Sequence, residues 1–165
     1  MPRPCARTCG NREVVSSVFA AIDPAKSVTR TEMRVRFCET DLMGVVHHSN
    51  YLVYFEVGRV DWLRKRNITY ADWTDRGVQV PVVDAKLQYR APARFDDLLS
   101  IETTLTLLRN VSLDYSYRIV RGDAVLAEGS TRLACIDQHG KLLRMPEAIR
   151  ELLLGGEVSG VTAAL

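Results

Sequence analysis

Asn50-Tyr51-Leu52-Val53-Tyr54-Phe55-Glu56-Val57-Gly58-Arg59-Val60 decides the fold. From Tyr51 onward only Glu56 and Arg59 interrupt the apolar run. A helix that is apolar almost all round is a buried helix. The stretch therefore predicts one long central helix, Tyr51 to Asn67, with a sheet wrapped about it. Ser49 or Asn50 is placed to cap it, and Asn67 to end it.

The flanks read mostly as strands. Glu32 to Cys38 alternates, with Met33, Val35 and Phe37 on one side, and reads as a half-buried strand. Tyr70 to Arg76 reads as a short second helix closed by Gly77. Val78 to Tyr89, Leu98 to Leu108, Val111 to Val120 and Ala124 to Ile136 follow as strands. In the second of these, Leu99, Ile101, Thr103, Leu105 and Leu107 share a face. Arg121-Gly122-Asp123 is a hairpin turn, and Gln138-His139-Gly140 is another turn. Pro146 opens a final helix through Leu153. One strand and one helix ahead of an antiparallel meander is an α+β order.

A chain of 165 residues suits one domain, and 47% hydrophobic with 25% charged residues is the balance of a globular one. A net charge of +2 points to neither nucleic acid nor a membrane surface as partner. No apolar run approaches the length of a membrane span. Cys5, Cys9, Cys38 and Cys135 match no zinc spacing. The last two fall in strand-like segments, where a free cysteine behaves as a small hydrophobe. A reducing, cytoplasmic setting follows.

Residues 1–32 differ from the rest. They carry early arginines, a short apolar patch and no periodicity, and read as a disordered extension. A secretory leader fits poorly, because Glu13 stands where its apolar region would begin. Met33 is a second candidate start of translation. Residues 33–153 form the single predicted domain, and residues 154–165 read as a frayed tail.

The chemistry concentrates just before the helix, in Glu39-Thr40-Asp41-Leu42-Met43-Gly44-Val45-Val46-His47-His48-Ser49-Asn50-Tyr51. A carboxylate there faces the free N–H groups of a helix N-terminus. That pairing suits attack on a carbonyl: the carboxylate drives the nucleophile and the N–H groups hold the developing oxyanion. Gly44 supplies a turn with positive φ. A lone loop Asp more often bonds its own turn. Glu56 has an ion-pair partner at Arg59.

Thr40-Asp41-Leu42-Met43-Gly44-Val45-Val46-His47-His48-Ser49-Asn50-Tyr51 resembles the motif of the 4-hydroxybenzoyl-CoA thioesterase group of hotdog-fold proteins, which includes the YbgC and FadM acyl-CoA thioesterases. The likeness continues through Leu52 to Arg64 and into Tyr89-Arg90-Ala91-Pro92-Ala93-Arg94-Phe95-Asp96-Asp97. The resemblance implies a hotdog fold and hydrolysis of a fatty or aromatic acyl-CoA. Asp41 would be general base or nucleophile. His48 would give its backbone N–H to the oxyanion, and its side chain would orient the thioester. Glu56 is the runner-up acid, since another hotdog branch uses a helical glutamate. Gly44, Val45, Val46, His47, Asn50 and Tyr51 would shape the substrate site. Arg90 and Arg94 would meet coenzyme A phosphates, with Lys86, Lys65 and Arg66 as further cations. The implied assembly is a homo-oligomer, a dimer or more often a tetramer. No cofactor is implied beyond the coenzyme A of the substrate.

Two other readings share the fold. A hotdog dehydratase would use His48 with Glu56. A non-catalytic hotdog protein would bind acyl-CoA without turnover. No G-x-S-x-G elbow is present, which argues against an α/β-hydrolase. Tyr54, Phe55, Trp62 and Trp73 would line an acyl tunnel or, as is commoner at helical spacing, fill the core.

Overall fold

Alternating apolar positions need a partner surface, and five strands supply it in the computed structural model, which describes residues 28–154. The strands are β1 (Val28–Arg34), β2 (Val82–Tyr89), β3 (Leu98–Leu108), β4 (Ser112–Arg121) and β5 (Ala124–Ala134). They form one antiparallel sheet in the order β1-β3-β4-β5-β2. Helix α1 (Asn50–Arg64) lies on one face, chiefly against β1 and β3. Two short helices, α2 (Tyr70–Asp75) and α3 (Glu147–Leu153), complete the α-helices of the described residues. This is the α+β hotdog arrangement that the resemblance implied.

Close approach of α1 to the sheet is possible because of two glycines. A Cβ on Gly58 would strike the Thr103 hydroxyl and come within 2.8 Å of Ile101 Cγ2. A Cβ on Gly129 of β5 would strike the Lys86 carbonyl and the Phe55 ring. Phe55 thereby lies flat on Tyr117, with ring centroids 4.3 Å apart and planes 8° from parallel. Trp62 meets Tyr115 edge-on at 5.4 Å. Tyr54, Phe55, Trp62 and Trp73 are all fully buried, so these aromatics are core. At its far end α1 is tied to β1: Thr31 Oγ1 donates to Asp61 Oδ2 at 2.6 Å, and Lys65 Nζ to the Arg30 carbonyl at 2.7 Å.

The outer sheet face carries a charge ladder. Arg30, Glu102, Arg118, Glu128 and Gln88 stand directly opposite one another across all five strands. Arg30 pairs with Glu102 at 2.9 Å, Arg118 with Glu102 at 3.7 Å, and Arg90 with Glu128 at 3.2 Å. Opposite charges directly across a ladder favour that register.

Several expectations need correcting. The first strand is Val28–Arg34, not Glu32 to Cys38, so the expected disordered extension is ordered from Val28. After Arg34 the chain leaves the sheet for a 3-10 turn, Phe37–Glu39, drawn by the Arg36–Glu39 pair. Phe37 is accordingly 75% exposed and meets the Phe95 ring edge-on, at 5.6 Å. The long helix ends at Arg64, and Asn67 with φ 56° sits beyond it. Strand β2 starts at Val82, because Pro81 has no N–H to give a ladder. A register shift between Leu105 and Leu107 buries Leu108 in place of Leu107. Helix α1 is not buried all round: Leu52, Val53 and Val57 are exposed. The expectations for residues 1–27, including Cys5 and Cys9, and for residues 155–165 lie outside the described residues.

The seating of α1 predicts the outcome of Gly58→Ala. Alanine favours helix by about 1 kcal/mol, but the added methyl meets stiff, buried Thr103 and Ile101. Overpacking of this kind costs about 1–3 kcal/mol. The urea midpoint should fall. An unchanged or raised midpoint would mean that the helix does not sit this close.

Candidate active site

The motif loop folds as a miniature hairpin. Thr40 bridges Val46, and the Asp41 N–H donates to the Val45 carbonyl at 2.9 Å. The turn between them closes with the Gly44 N–H on the Asp41 carbonyl at 2.9 Å. Gly44 has φ +70°, where an L side chain is strained. Asp41 is half-buried. Its Oδ1 accepts the Met43 N–H at 2.8 Å, while its other carboxylate oxygen accepts nothing from the described residues.

Three ties fix this hairpin against the helix start. The Val46 N–H donates to the Ala93 carbonyl at 2.8 Å, and the Ala93 N–H to the Tyr51 hydroxyl at 3.2 Å. Arg94 Nη1 donates to the Gly44 carbonyl at 3.3 Å. Val46 and Tyr51 are buried and serve as pins of the loop.

Neither expected cap acts as one. Ser49 stands at the N-cap, but its side chain makes no capping bond. Its hydroxyl lies 2.8 Å from His47 Nδ1 instead. Asn50 Nδ2 donates backwards to the Glu39 carbonyl at 2.8 Å, and the His47 N–H meets that same oxygen at 2.9 Å. The Asn50 N–H takes the His47 carbonyl at 3.0 Å. The N–H of His48 is left without a hydrogen-bond partner among the described residues. The His48 ring is exposed and packs on His47, with centroids 4.1 Å apart.

The hairpin thus gathers Asp41, Gly44, Val45, Val46, His47, His48, Asn50, Tyr51 and Arg94. Two candidates stand apart. Glu56 is 61% exposed and pairs with Arg59 at 3.4 Å, its expected i+3 partner. Arg90 is held on the outer sheet face by Gln88 and Glu128. Lys65 is spent on Asp61, at 2.9 Å. The Arg66 guanidinium stacks over Trp62 at 3.7 Å. No cluster of three or more metal-ligating side chains occurs among the described residues.

Sequence reasoning gave Glu39 no role, yet it organises the loop. It is 4% exposed and accepts the Arg36 N–H at 2.7 Å, Arg36 Nη2 at 2.9 Å and the Tyr54 hydroxyl at 3.0 Å. The signal in the sequence was the Arg36-x-x-Glu39 spacing. Burial by itself would raise this carboxyl. The backbone and side-chain bonds from Arg36, the Tyr54 hydroxyl and the Arg36 charge outweigh it and hold it below its ordinary 4.5. Burial, and then the Glu39 charge, push the Tyr54 phenol up. A carboxyl with a depressed folded pKa lends stability above its unfolded value and loses it as the pH falls through the folded one. The stability gap between wild type and Glu39→Gln should therefore be widest above about pH 4.5, the ordinary value. It should close below that pH, as thermal unfolding across pH 3 to 7 would record. A gap independent of pH would remove the Glu39 charge from the account.

Residues 35–153 match the thioesterase-like superfamily. The YbgC acyl-CoA thioester hydrolase of Escherichia coli is 34% identical over 109 residues, 66% of this chain and 81% of that protein. The crystal structure of hypothetical protein TT1821 from Thermus thermophilus is 42% identical, with TM-score 0.73 over 80% of this chain and 99% of that one. A DHNA-CoA thioesterase from Staphylococcus aureus is 30% identical, with TM-score 0.72 over 76% of this chain and 87% of that one. The chain belongs to the thioesterase-like superfamily as a hotdog protein of the YbgC group.

Proposed function

We propose that this thioester hydrolase acts on an acyl-CoA, with Asp41 as the acid–base or nucleophilic group and the His48 N–H as oxyanion donor. One observation carries the reading. A half-buried carboxylate with an uncommitted oxygen is held in a hairpin that leads into an unbonded N–H at the start of α1. In the reaction, Asp41 either removes a proton from water or itself attacks the thioester carbonyl, giving a mixed anhydride that water then opens. The carbonyl oxygen gains charge and is met by the His48 N–H. The C–S bond breaks and coenzyme A leaves as thiolate, so little acid assistance is required. The reading calls for no metal or redox cofactor.

Arg94 is the cation best placed to meet a coenzyme A phosphate beside this loop, because arginine forks suit phosphate. Arg90, on the outer face, is a more distant second. YbgC of Escherichia coli is named for acyl-CoA and the Staphylococcus protein for an aromatic acyl-CoA, so fatty and aromatic acyl groups both belong to the proposal. The dehydratase alternative loses support from Glu56, whose carboxylate turns to Arg59. A cytoplasmic setting belongs to the same reading, in which Cys38 and Cys135 carry free thiols. No helix among the described residues is long and apolar enough to cross a membrane.

The oligomer is part of the proposal. Among the described residues strand β2 has a neighbour on one side only, and every residue of it except Leu87 is exposed. Helix α1 also shows Leu52, Val53 and Val57 to solvent. An unpaired edge and an exposed apolar helix face each invite a second copy, and two such dimers would make a tetramer. Sedimentation of the wild type should report a dimer or tetramer, and Val83→Lys on β2 should shift it toward monomer. A monomeric wild type at micromolar concentration would overturn this part.

The chemistry is tested by thiol release from a panel of fatty and aromatic acyl-CoAs. Asp41→Asn should keep the fold and cut turnover by at least about a hundredfold, the scale of a lost acid–base group. Full turnover in that variant would move the role to another carboxylate. Binding of acyl-CoA with no release by wild type would favour the non-catalytic reading.

A further inference from the structure

Tyr89 closes β2 on the helix side of the sheet. Its neighbours Gln88 and Arg90 are joined to each other on the opposite, outer face, at 2.8 Å. The phenol crosses from the edge strand to the helix start, where its hydroxyl donates to the His48 carbonyl at 3.0 Å. Its ring meets Tyr51 edge-on, with centroids 5.3 Å apart and planes at 82°. The residue is 51% exposed, so neither bond nor ring contact is a by-product of core packing.

The peptides on either side of His48 are therefore both anchored. On the N-terminal side, the His47 N–H is held by the Glu39 carbonyl and the His47 carbonyl by the Asn50 N–H. On the C-terminal side, the His48 carbonyl is held by Tyr89. Within these two peptides only the His48 N–H is unengaged among the described residues. A donor fixed before reaction stabilises a developing oxyanion without the cost of turning into place. We infer that Tyr89 is a positioning residue for the oxyanion donor, acting through the His48 backbone. The inference rests on the proposed role of the His48 N–H and is independent of which acid drives the nucleophile.

Tyr89→Phe removes only the hydroxyl from a half-exposed ring, so folding, melting temperature and oligomer size should stay as in wild type. Turnover should fall about tenfold, less than the loss of an oxyanion donor itself, with KM nearly unchanged. A second readout separates positioning from general softening. In a ketone analogue of acyl-CoA with CH2 in place of sulfur, the bound carbonyl stretch reports hydrogen bonding to that oxygen. The red shift seen in wild type should shrink in Tyr89→Phe and persist in Asp41→Asn. Unchanged turnover, or a red shift equal to wild type's, would overturn the inference. A red shift absent from wild type as well would instead overturn the oxyanion site. Loss of turnover only in Asp41→Asn, with Tyr89→Phe at wild-type rate, would keep the reaction and discard Tyr89.

Discussion

The rest of the structure depends on how closely α1 can lie on the sheet. Gly58 faces Thr103 and Ile101 of β3, and Phe55 lies over Gly129 of β5. Each glycine removes a methyl where the other element needs the room. Side chains of ordinary size at both places would lift the helix and separate Phe55 from Tyr117, on which it stacks at 4.3 Å. Interiors are packed too tightly to absorb such a shift locally. The helix start would move with it, and so would every contact that holds the motif hairpin.

From that seat the site is assembled almost entirely by backbone. The Glu39 carbonyl holds His47 and Asn50, the Ala93 carbonyl holds Val46, and the Gly44 carbonyl takes Arg94. Buried Glu39 locks its own turn through Arg36 and Tyr54. Backbone dipoles fixed in this way do not have to reorganise when charge develops nearby. The outer sheet face behaves differently. Its Arg30–Glu102–Arg118–Glu128 ladder is largely solvated, and exposed pairs contribute only about 0–1 kcal/mol each. Its consequence is register: a slip of one strand would part the opposite charges that now face each other.

What the sequence made legible follows the same division. The central helix and the meander came from patterns that burial imposes, and the hairpin turn at Gly122 came from its residue type. The clustering of the motif loop was legible because its members are consecutive. Element ends were not, because they are set by particular side-chain pairs and register shifts that hydrophobic periodicity does not encode. Arg34 ends β1 because Arg36 and Glu39 pair, and Leu108 replaces Leu107 because of a shift against β4. Glu39 looked idle because its partners Tyr54 and Asn50 lie a helix start away. The exposed side of α1 also read as buried. An apolar pattern records that a surface avoids water, not whether its own chain or a second copy covers it.

Asp41 shows why the structural and chemical readings of a loop carboxylate need not compete. A carboxylate has two oxygens and several lone pairs. One oxygen accepts the Met43 N–H, which is the turn-forming role expected of a lone loop aspartate. That bond fixes the side-chain torsions and so points the other oxygen. A serine or asparagine could close the same turn, but neither would present a second basic oxygen. The turn alone therefore does not demand an acid at this position. A turn that also has to drive attack on a carbonyl does, and the same hydrogen bond that builds the hairpin aims the group that would react.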